Sequence, residues 1–191
     1  MIYNAPTKDM LFLIREWIGI DRLSSLPGFE EVDADLIEAV LEEAGKFASG
    51  ELLTINREGD EHGAVFNDGE VTTPPGFKEA YKNFIEAGWT SIDANPDHGG
   101  QGLPKLLQSM IDEILGATNV AFKLYTELSR GAYHCMAHAA SEEICDKYLP
   151  KLVEGTWSGT MCLTEPHAGT DLGLLKTTAT PAEDGTYKLS G

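Results

Sequence analysis

Basic residues are scarce in this sequence. Lys and Arg together number 14, against 31 Asp and Glu, which leaves a formal net charge of -17. A surface of that sign repels phosphate polymers and anionic bilayers, which argues against nucleic acid or a membrane as partner. It leaves room for a small anionic ligand held by local backbone dipoles. Long apolar runs are missing as well, since nothing approaches the roughly 20 residues that a membrane-spanning helix needs. The start, Met1-Ile2-Tyr3-Asn4-Ala5-Pro6, has neither a basic segment nor an apolar core and does not read as a secretory signal. Cysteine is rare and odd in number, with Cys135, Cys145 and Cys162 at no close spacing. Three buried, reduced thiols in a cytoplasmic protein are expected, not a disulfide framework.

What is present suits a folded chain. Hydrophobic residues make up 42% of 191, enough for one large domain or one and a half smaller ones. Helical periodicity fills most of the length. Thr7 to Ile20 reads as a first helix, capped by Thr7 or Asp9, with Met10, Leu11, Leu13, Ile14, Trp17 and Ile18 as its stripe. Asp33 to Ser49 reads as a second, with Asp33 as N-cap; Gly50 ends it, or it runs on through Leu52 and Leu53. Asn56 to Gly76 reads as a long polar connection carrying an exposed His62. Pro75 to Ala87 is a third helix closed by Gly88. A tight loop over 95–104 precedes a helix from Lys105 to about Glu127, interrupted at 116–119. Gly131–Ala140, Ser141–Lys147 and Pro150–Glu154 read as further helical pieces. Strand character begins near Trp157, with Ser158 to Leu163 as one strand and Thr186 to Leu189 as another.

The fold class is therefore α+β, with an N-terminal all-α helical domain over 1–156 and the beginning of a β domain over 157–191. The strand before Ser190-Gly191 has no partner after it, so the sequence reads as a fragment, or as the ordered part of a longer protein.

The candidate chemistry is thin. Gly99-Gly100-Gln101-Gly102 lacks the third glycine of a dinucleotide fingerprint and reads as a tight turn leading to Pro104 and the next helix. His134 and His138 share a helix face, but no third ligand stands nearby, so no metal site is expected. Met161-Cys162-Leu163-Thr164-Glu165-Pro166-His167-Ala168-Gly169-Thr170-Asp171 is different in kind. It joins a strand-like run to a turn rich in backbone donors and short hydroxyls, which suits the polar edge of a ligand or a phosphate. Glu165 there reads as a carboxylate anchoring the turn. The hydroxyls of Thr164 and Thr170 can donate and accept, as a ring with carbonyls and nitrogens along one edge requires.

Cys162 to Asp171 resembles the flavin-binding signature of the acyl-CoA dehydrogenases, which ends in Gly-Ser-Asp or Gly-Thr-Asp. Lys147-Tyr148-Leu149-Pro150-Lys151-Leu152-Val153-Glu154-Gly155 is similar to the family's lead-in to that signature. Asp97-His98-Gly99-Gly100-Gln101-Gly102 resembles its Gly-Gly-x-Gly loop, and Tyr187 to Gly191 resembles the strand before its Trp-Ile-Thr/Ser flavin contact. Asn56 to Asp60 and Val71 to Lys78 resemble a longer-chain branch that includes dehydrogenases of the 3-methylmercaptopropionyl-CoA type.

The resemblance implies FAD as cofactor, an acyl-CoA thioester as substrate and a trans-2-enoyl-CoA as product. It further implies electron-transfer flavoprotein or a similar acceptor as partner, and a homo-oligomer at full length. By resemblance, Met161, Leu163 and Thr164 line the flavin ring, while Gly169 and Thr170 approach the flavin pyrophosphate and the CoA moiety. The family commonly has an aromatic residue at the Met161 position, Ser at Thr170 and Gly at His167. Its catalytic base is a glutamate beyond Gly191, so no catalytic residue is assigned here and the 191 residues alone are expected to be inactive. The competing reading is a non-catalytic acyl-CoA-binding or protein-interaction module with the same fold.

Overall fold

The structure is a computed structural model, and it describes residues 2–191. The chain divides into two compact units, Met1–Gly159 and Thr160–Gly191.

The first unit is helical. Helix α1 (Thr7–Phe12) widens into a π-helical segment at Leu13–Ile18 and stops at Gly19; α2 (Ile20–Ser24) follows. The expected single helix over Thr7 to Ile20 is thus broken in register. No side chain caps it, and Pro6 stands at the cap position in place of Thr7 or Asp9. Met10, Leu11 and Ile14 are buried, but Trp17, from the same expected stripe, is 81% exposed. Hydrogen bonding from i to i+5 turns residues beyond Ile14 away from the face that α-helical spacing predicts.

Helix α3 (Ala34–Phe47) begins as expected at Asp33, whose Oδ1 accepts the Leu36 N–H at 2.8 Å. Gly50 does not end it. The chain continues through a second π segment, Ala48–Leu52, into α4 (Leu53–His62), because Ala48 and Leu52 are wholly buried and their burial outweighs the cost of an exposed helical glycine. The expected polar loop over 56–76 is accordingly α4 plus a hairpin. Strand β1 (Val65–Asn67) pairs antiparallel with β2 (Glu70–Thr72), with Phe66 opposite Val71. Asp68 and Gly69 both take positive φ, as a two-residue hairpin turn demands.

Helix α5 (Phe77–Glu86) matches its expected span. After the 88–104 loop come α6 (Lys105–Thr118) and α7 (Val120–Ala139). The break at Asn119 falls where expected, but α7 runs unbroken through 128–131, where two pieces were expected. Helix α8 (Glu142–Val153) likewise unites two expected pieces, with Pro150 inside its last turn. Ile37 and Leu41 of α3 pack with Leu107, Ile111, Ile114 and Leu115 of α6, Phe84 of α5 and Phe122 of α7 in one core. A smaller cluster joins Ala94 and Tyr133 to Leu149, Leu152 and Val153 of α8.

The second unit holds one hairpin, β3 (Thr178–Pro181) antiparallel to β4 (Tyr187–Ser190), with Ala179 opposite Leu189. The strand expected over Ser158 to Leu163 is not formed. That stretch has no ladder partner among the described residues, and a strand without a partner is not a strand. The expected final strand is present and finds its partner upstream, in β3. Burial of all three thiols is also not met. Cys135, on α7, and Cys162, in the unpaired stretch, are exposed, and Cys145 is half-buried.

Candidate functional site

In the helical unit, polar side chains gather where α7 passes the 88–104 loop. Tyr133 accepts the Asn95 N–H at 2.8 Å through its hydroxyl oxygen, and His98 Nδ1 lies 3.0 Å from the same atom. Burial pushes the Tyr133 hydroxyl above its ordinary pKa, so it remains a phenol. Next to it on the helix, His134 Nε2 meets Asp93 Oδ2 at 3.0 Å, and the Asp93 side chain is only 3% exposed. One turn earlier, Arg130 grips Asp112 of α6 through both guanidinium nitrogens, and Gln108 Nε2 donates to the same carboxylate at 2.9 Å. Of these, Asp93, Asp112, Arg130 and Tyr133 border a narrow cavity of about 20 Å³. His134 thus has a carboxylate partner 41 positions away, which no sequence spacing announces, whereas the Gln108–Asp112 contact is an ordinary i,i+4 pair. No cluster of three metal-ligating side chains occurs among the described residues.

In the second unit, Glu165-Pro166-His167-Ala168 closes on itself. The Glu165 N–H donates to the Ala168 carbonyl and the Ala168 N–H to the Glu165 carbonyl, both at 3.0 Å. The Glu165 carboxylate accepts the N–H groups of Lys176 at 3.0 Å and Thr177 at 2.9 Å, and the Thr177 hydroxyl at 2.6 Å. Hydrogen bonding by the Thr177 hydroxyl, then by the two amides, with His167 nearby, holds this carboxyl below its ordinary pKa. His167 lies 3.2 Å from Glu165 and 3.1 Å from the Leu174 carbonyl, so it braces the same turn. Asp171 Oδ1 accepts the Gly173 N–H at 3.0 Å.

The five residues singled out in the sequence stand on this braced segment. Met161 is 64% exposed and Leu163 40%. Thr164, Gly169 and Thr170 are exposed, and a side chain built on Gly169 would meet nothing within 4 Å. The Thr164 and Thr170 hydroxyls form no bond among the described residues. Glu165, His167 and Asp171 hold the loop, while the neighbouring apolar and hydroxyl groups stay open.

Comparison with known proteins agrees with this architecture. Residues 35–156 match the family described as Acyl-CoA dehydrogenase, N-terminal domain. The chain belongs to the acyl-CoA dehydrogenase family. It is 38% identical to the 3-methylmercaptopropionyl-CoA dehydrogenase of Ruegeria pomeroyi over the whole of this chain and 32% of that protein. Its fold is similar to butyryl-CoA dehydrogenase from Megasphaera elsdenii, with a TM-score of 0.68 and 27% identity over 82% of this chain and 39% of the other. It is similar also to an acyl-CoA dehydrogenase from Bacillus anthracis complexed with FAD, with a TM-score of 0.65 and 25% identity over 85% of this chain and 26% of that one. The chain spans about a third of the length of the curated relatives that it matches end to end.

Proposed function

We propose that this chain is the N-terminal part of an FAD-dependent acyl-CoA dehydrogenase, with a helical domain over 1–156 and the beginning of the β domain over 157–191. The whole protein oxidises an acyl-CoA thioester to the trans-2-enoyl-CoA and passes the electrons to an electron-transfer flavoprotein or similar acceptor. It works as a homo-oligomer in the cytoplasm. No helix of the described residues is long and apolar enough to cross a membrane, which is compatible with that location.

One observation carries the reading. In a family member, the segment with the flavin signature is braced from within by Glu165, His167 and Asp171, while Met161, Leu163, Thr164 and Thr170 remain exposed and unengaged. That division of labour fits a cofactor edge. Exposed apolar side chains cover a ring face, and free hydroxyls donate to or accept from its polar rim. Met161, Leu163 and Thr164 would lie along the isoalloxazine, and Met161 can pack on a ring through its sulfur. Gly169, where a side chain would otherwise project, and Thr170 would approach the pyrophosphate and the CoA moiety. FAD bound there supplies the acceptor for the hydride leaving the substrate β-carbon.

Glu165 is not the base that takes the α-proton, because both its carboxylate oxygens are committed to the Lys176 and Thr177 donors. That base is a glutamate outside these 191 residues, and the chain alone is inactive. Turnover of a panel of acyl-CoA thioesters by the full-length protein, with an artificial electron acceptor and the flavin spectrum as readouts, tests the proposal. A yellow protein that forms enoyl-CoA is expected. A full-length protein that purifies colourless and takes up no added FAD would sink it.

A further inference from the structure

An aspartate isomerises most readily before glycine, because glycine puts no side chain beside the attacking backbone nitrogen. Asp-Gly occurs twice in this chain, as Asp68-Gly69 in the turn between β1 and β2 and as Asp184-Gly185 in the connection between β3 and β4. All four residues are exposed, so exposure does not separate the two sites. Their hydrogen bonds do. Asp184 Oδ1 accepts the Thr186 N–H at 3.0 Å and the Thr186 hydroxyl at 2.6 Å, and the Gly185 N–H donates to the Ala182 carbonyl at 3.2 Å. The carboxyl and the nitrogen that would attack it are thus both held. The Thr186 hydroxyl, and then its N–H, keep the Asp184 carboxyl below its ordinary pKa, and therefore ionised, which makes its oxygen a poor leaving group. At Asp68-Gly69 neither the carboxylate nor the glycine N–H has a partner among the described residues. Asp68 is the one non-glycine residue there at positive φ, +47°, and a Cβ on Gly69 would meet nothing within 4 Å. The flanking strands are three residues each and exposed throughout, so the turn opens at little cost.

From this we infer that Asp68-Gly69 is a site of spontaneous isoaspartate formation, while Asp184-Gly185 is protected by its own loop. The Gly69 nitrogen attacks Cγ of the protonated Asp68 carboxyl. A new N–Cγ bond closes a five-membered succinimide, and the carboxyl hydroxyl leaves as water with the amide hydrogen. Solvent water then opens the ring at either carbonyl. Opening at Cγ restores aspartate. Opening at the main-chain carbonyl leaves the peptide bond running through Cγ, with a free α-carboxylate. The water lost is regained, and no oxidant or other reactant takes part. The product lengthens the backbone by one methylene in a turn that only two residues close, so the pairing of Phe66 with Val71 does not survive it.

The second Asp-Gly serves as an internal control. The full-length protein would be held at pH 5 and 37 °C, once folded and once in urea, and then digested with trypsin. Cleavage after Arg57 and Lys78 releases the peptide with Asp68, and cleavage after Lys176 and Lys188 the one with Asp184. Electron-transfer fragmentation distinguishes isoaspartate from aspartate in each. In urea the two sites should isomerise alike, because only the dipeptide acts there. In the folded protein the yield at Asp68 should exceed that at Asp184 roughly tenfold, the worth of the hydrogen bonds that Asp184 and Gly185 give up before they react. Thr186→Val, which removes the hydroxyl, should raise the yield at Asp184 several-fold and leave Asp68 unchanged. Equal yields at the two sites of the folded protein, no isomer at Asp68, or an Asp184 yield indifferent to Thr186→Val would overturn the inference. No readout depends on catalysis, so the result stands apart from the acyl-CoA reading.

Discussion

Asn119 reaches across the helical unit to Leu52. Its Nδ2 donates to the Leu52 carbonyl at 3.2 Å, 67 positions earlier, while its Oδ1 accepts the Phe122 N–H at 3.0 Å. The side chain is essentially without solvent. One amide therefore caps α7 and satisfies a carbonyl at the end of the π segment Ala48–Leu52, where the helical ladder changes register. A carboxylate could do the first task but not the second, because it has no hydrogen to donate.

Asn119→Ala is expected to cost about 2–4 kcal/mol, from the lost cap and the buried Leu52 carbonyl left without its donor. Asn119→Asp keeps the cap acceptor but cannot donate to Leu52, and it buries a carboxylate, so it should destabilise at least as much. Urea unfolding of the three proteins followed by circular dichroism measures both. An Asp variant of wild-type stability would show that the Leu52 bond contributes nothing.

The Arg130–Asp112 pair makes a second prediction. The two side chains are 20% and 19% exposed, so each ion is largely desolvated and depends on the other. Arg130→Met strands the carboxylate and should cost about 2–4 kcal/mol, toward or below the low end of the range for breaking a buried pair because some solvent remains. Arg130→Met with Asp112→Leu removes both charges, and its loss should be smaller than the sum of the two single losses. A double-mutant cycle from denaturant midpoints checks this, and additive losses would refute the coupling.

Local chemistry was legible in the sequence, and non-local pairing was not. Asp33 announced the start of α3, the periodicity of Phe77 to Ile85 gave α5, and Glu-Pro-His-Ala gave the turn in the second unit, because each rests on neighbours within a few residues. Asp68-Gly69 was an equally local signal, and it was lost among the glycines and prolines of its surroundings. Ser158 to Leu163 has strand-forming residues but no strand, since a ladder depends on a partner that composition does not reveal. The π segments escaped for a related reason. Apolar residues at three and four fit an α-helix, and only packing against α6 decides that Leu52 faces inward through a widened turn.

Two glycines side by side separate strain from collision. A Cβ on Gly100 would lie 2.0 Å from the Ala94 carbonyl oxygen, which is backbone and cannot step aside. A Cβ on Gly99 would meet nothing within 4 Å, but its φ of +87° is one that side chains disfavour. Gly99→Ala should therefore cost about 1–2 kcal/mol, and Gly100→Ala about 3 kcal/mol or more, through displacement of the 94–102 loop. The Asn95 N–H to Tyr133 bond crosses from this loop, so amide exchange at Asn95 should quicken in Gly100→Ala and change little in Gly99→Ala. Equal effects from both substitutions would contradict the close approach.

Glu165 gives the second unit a pH dependence of known sign. Its carboxyl titrates below the ordinary 4.5, first because of the Thr177 hydroxyl and then because of the Lys176 and Thr177 amides. A depressed folded-state pKa means that the unfolded chain binds the proton more readily. The stabilisation is then complete above 4.5 and is lost as pH falls through the lower folded value. Lowering pH from 6 to 3 should thus release the Lys176 and Thr177 amides, seen as a rise in their protection-corrected exchange. Glu165→Gln, which never carries the charge, should show the faster exchange already at pH 6 and little further change on acidification. If the wild-type amides kept the same protection across that range, the carboxylate would not be what holds the segment, and the exposed residues from Met161 to Thr170 would have lost their brace.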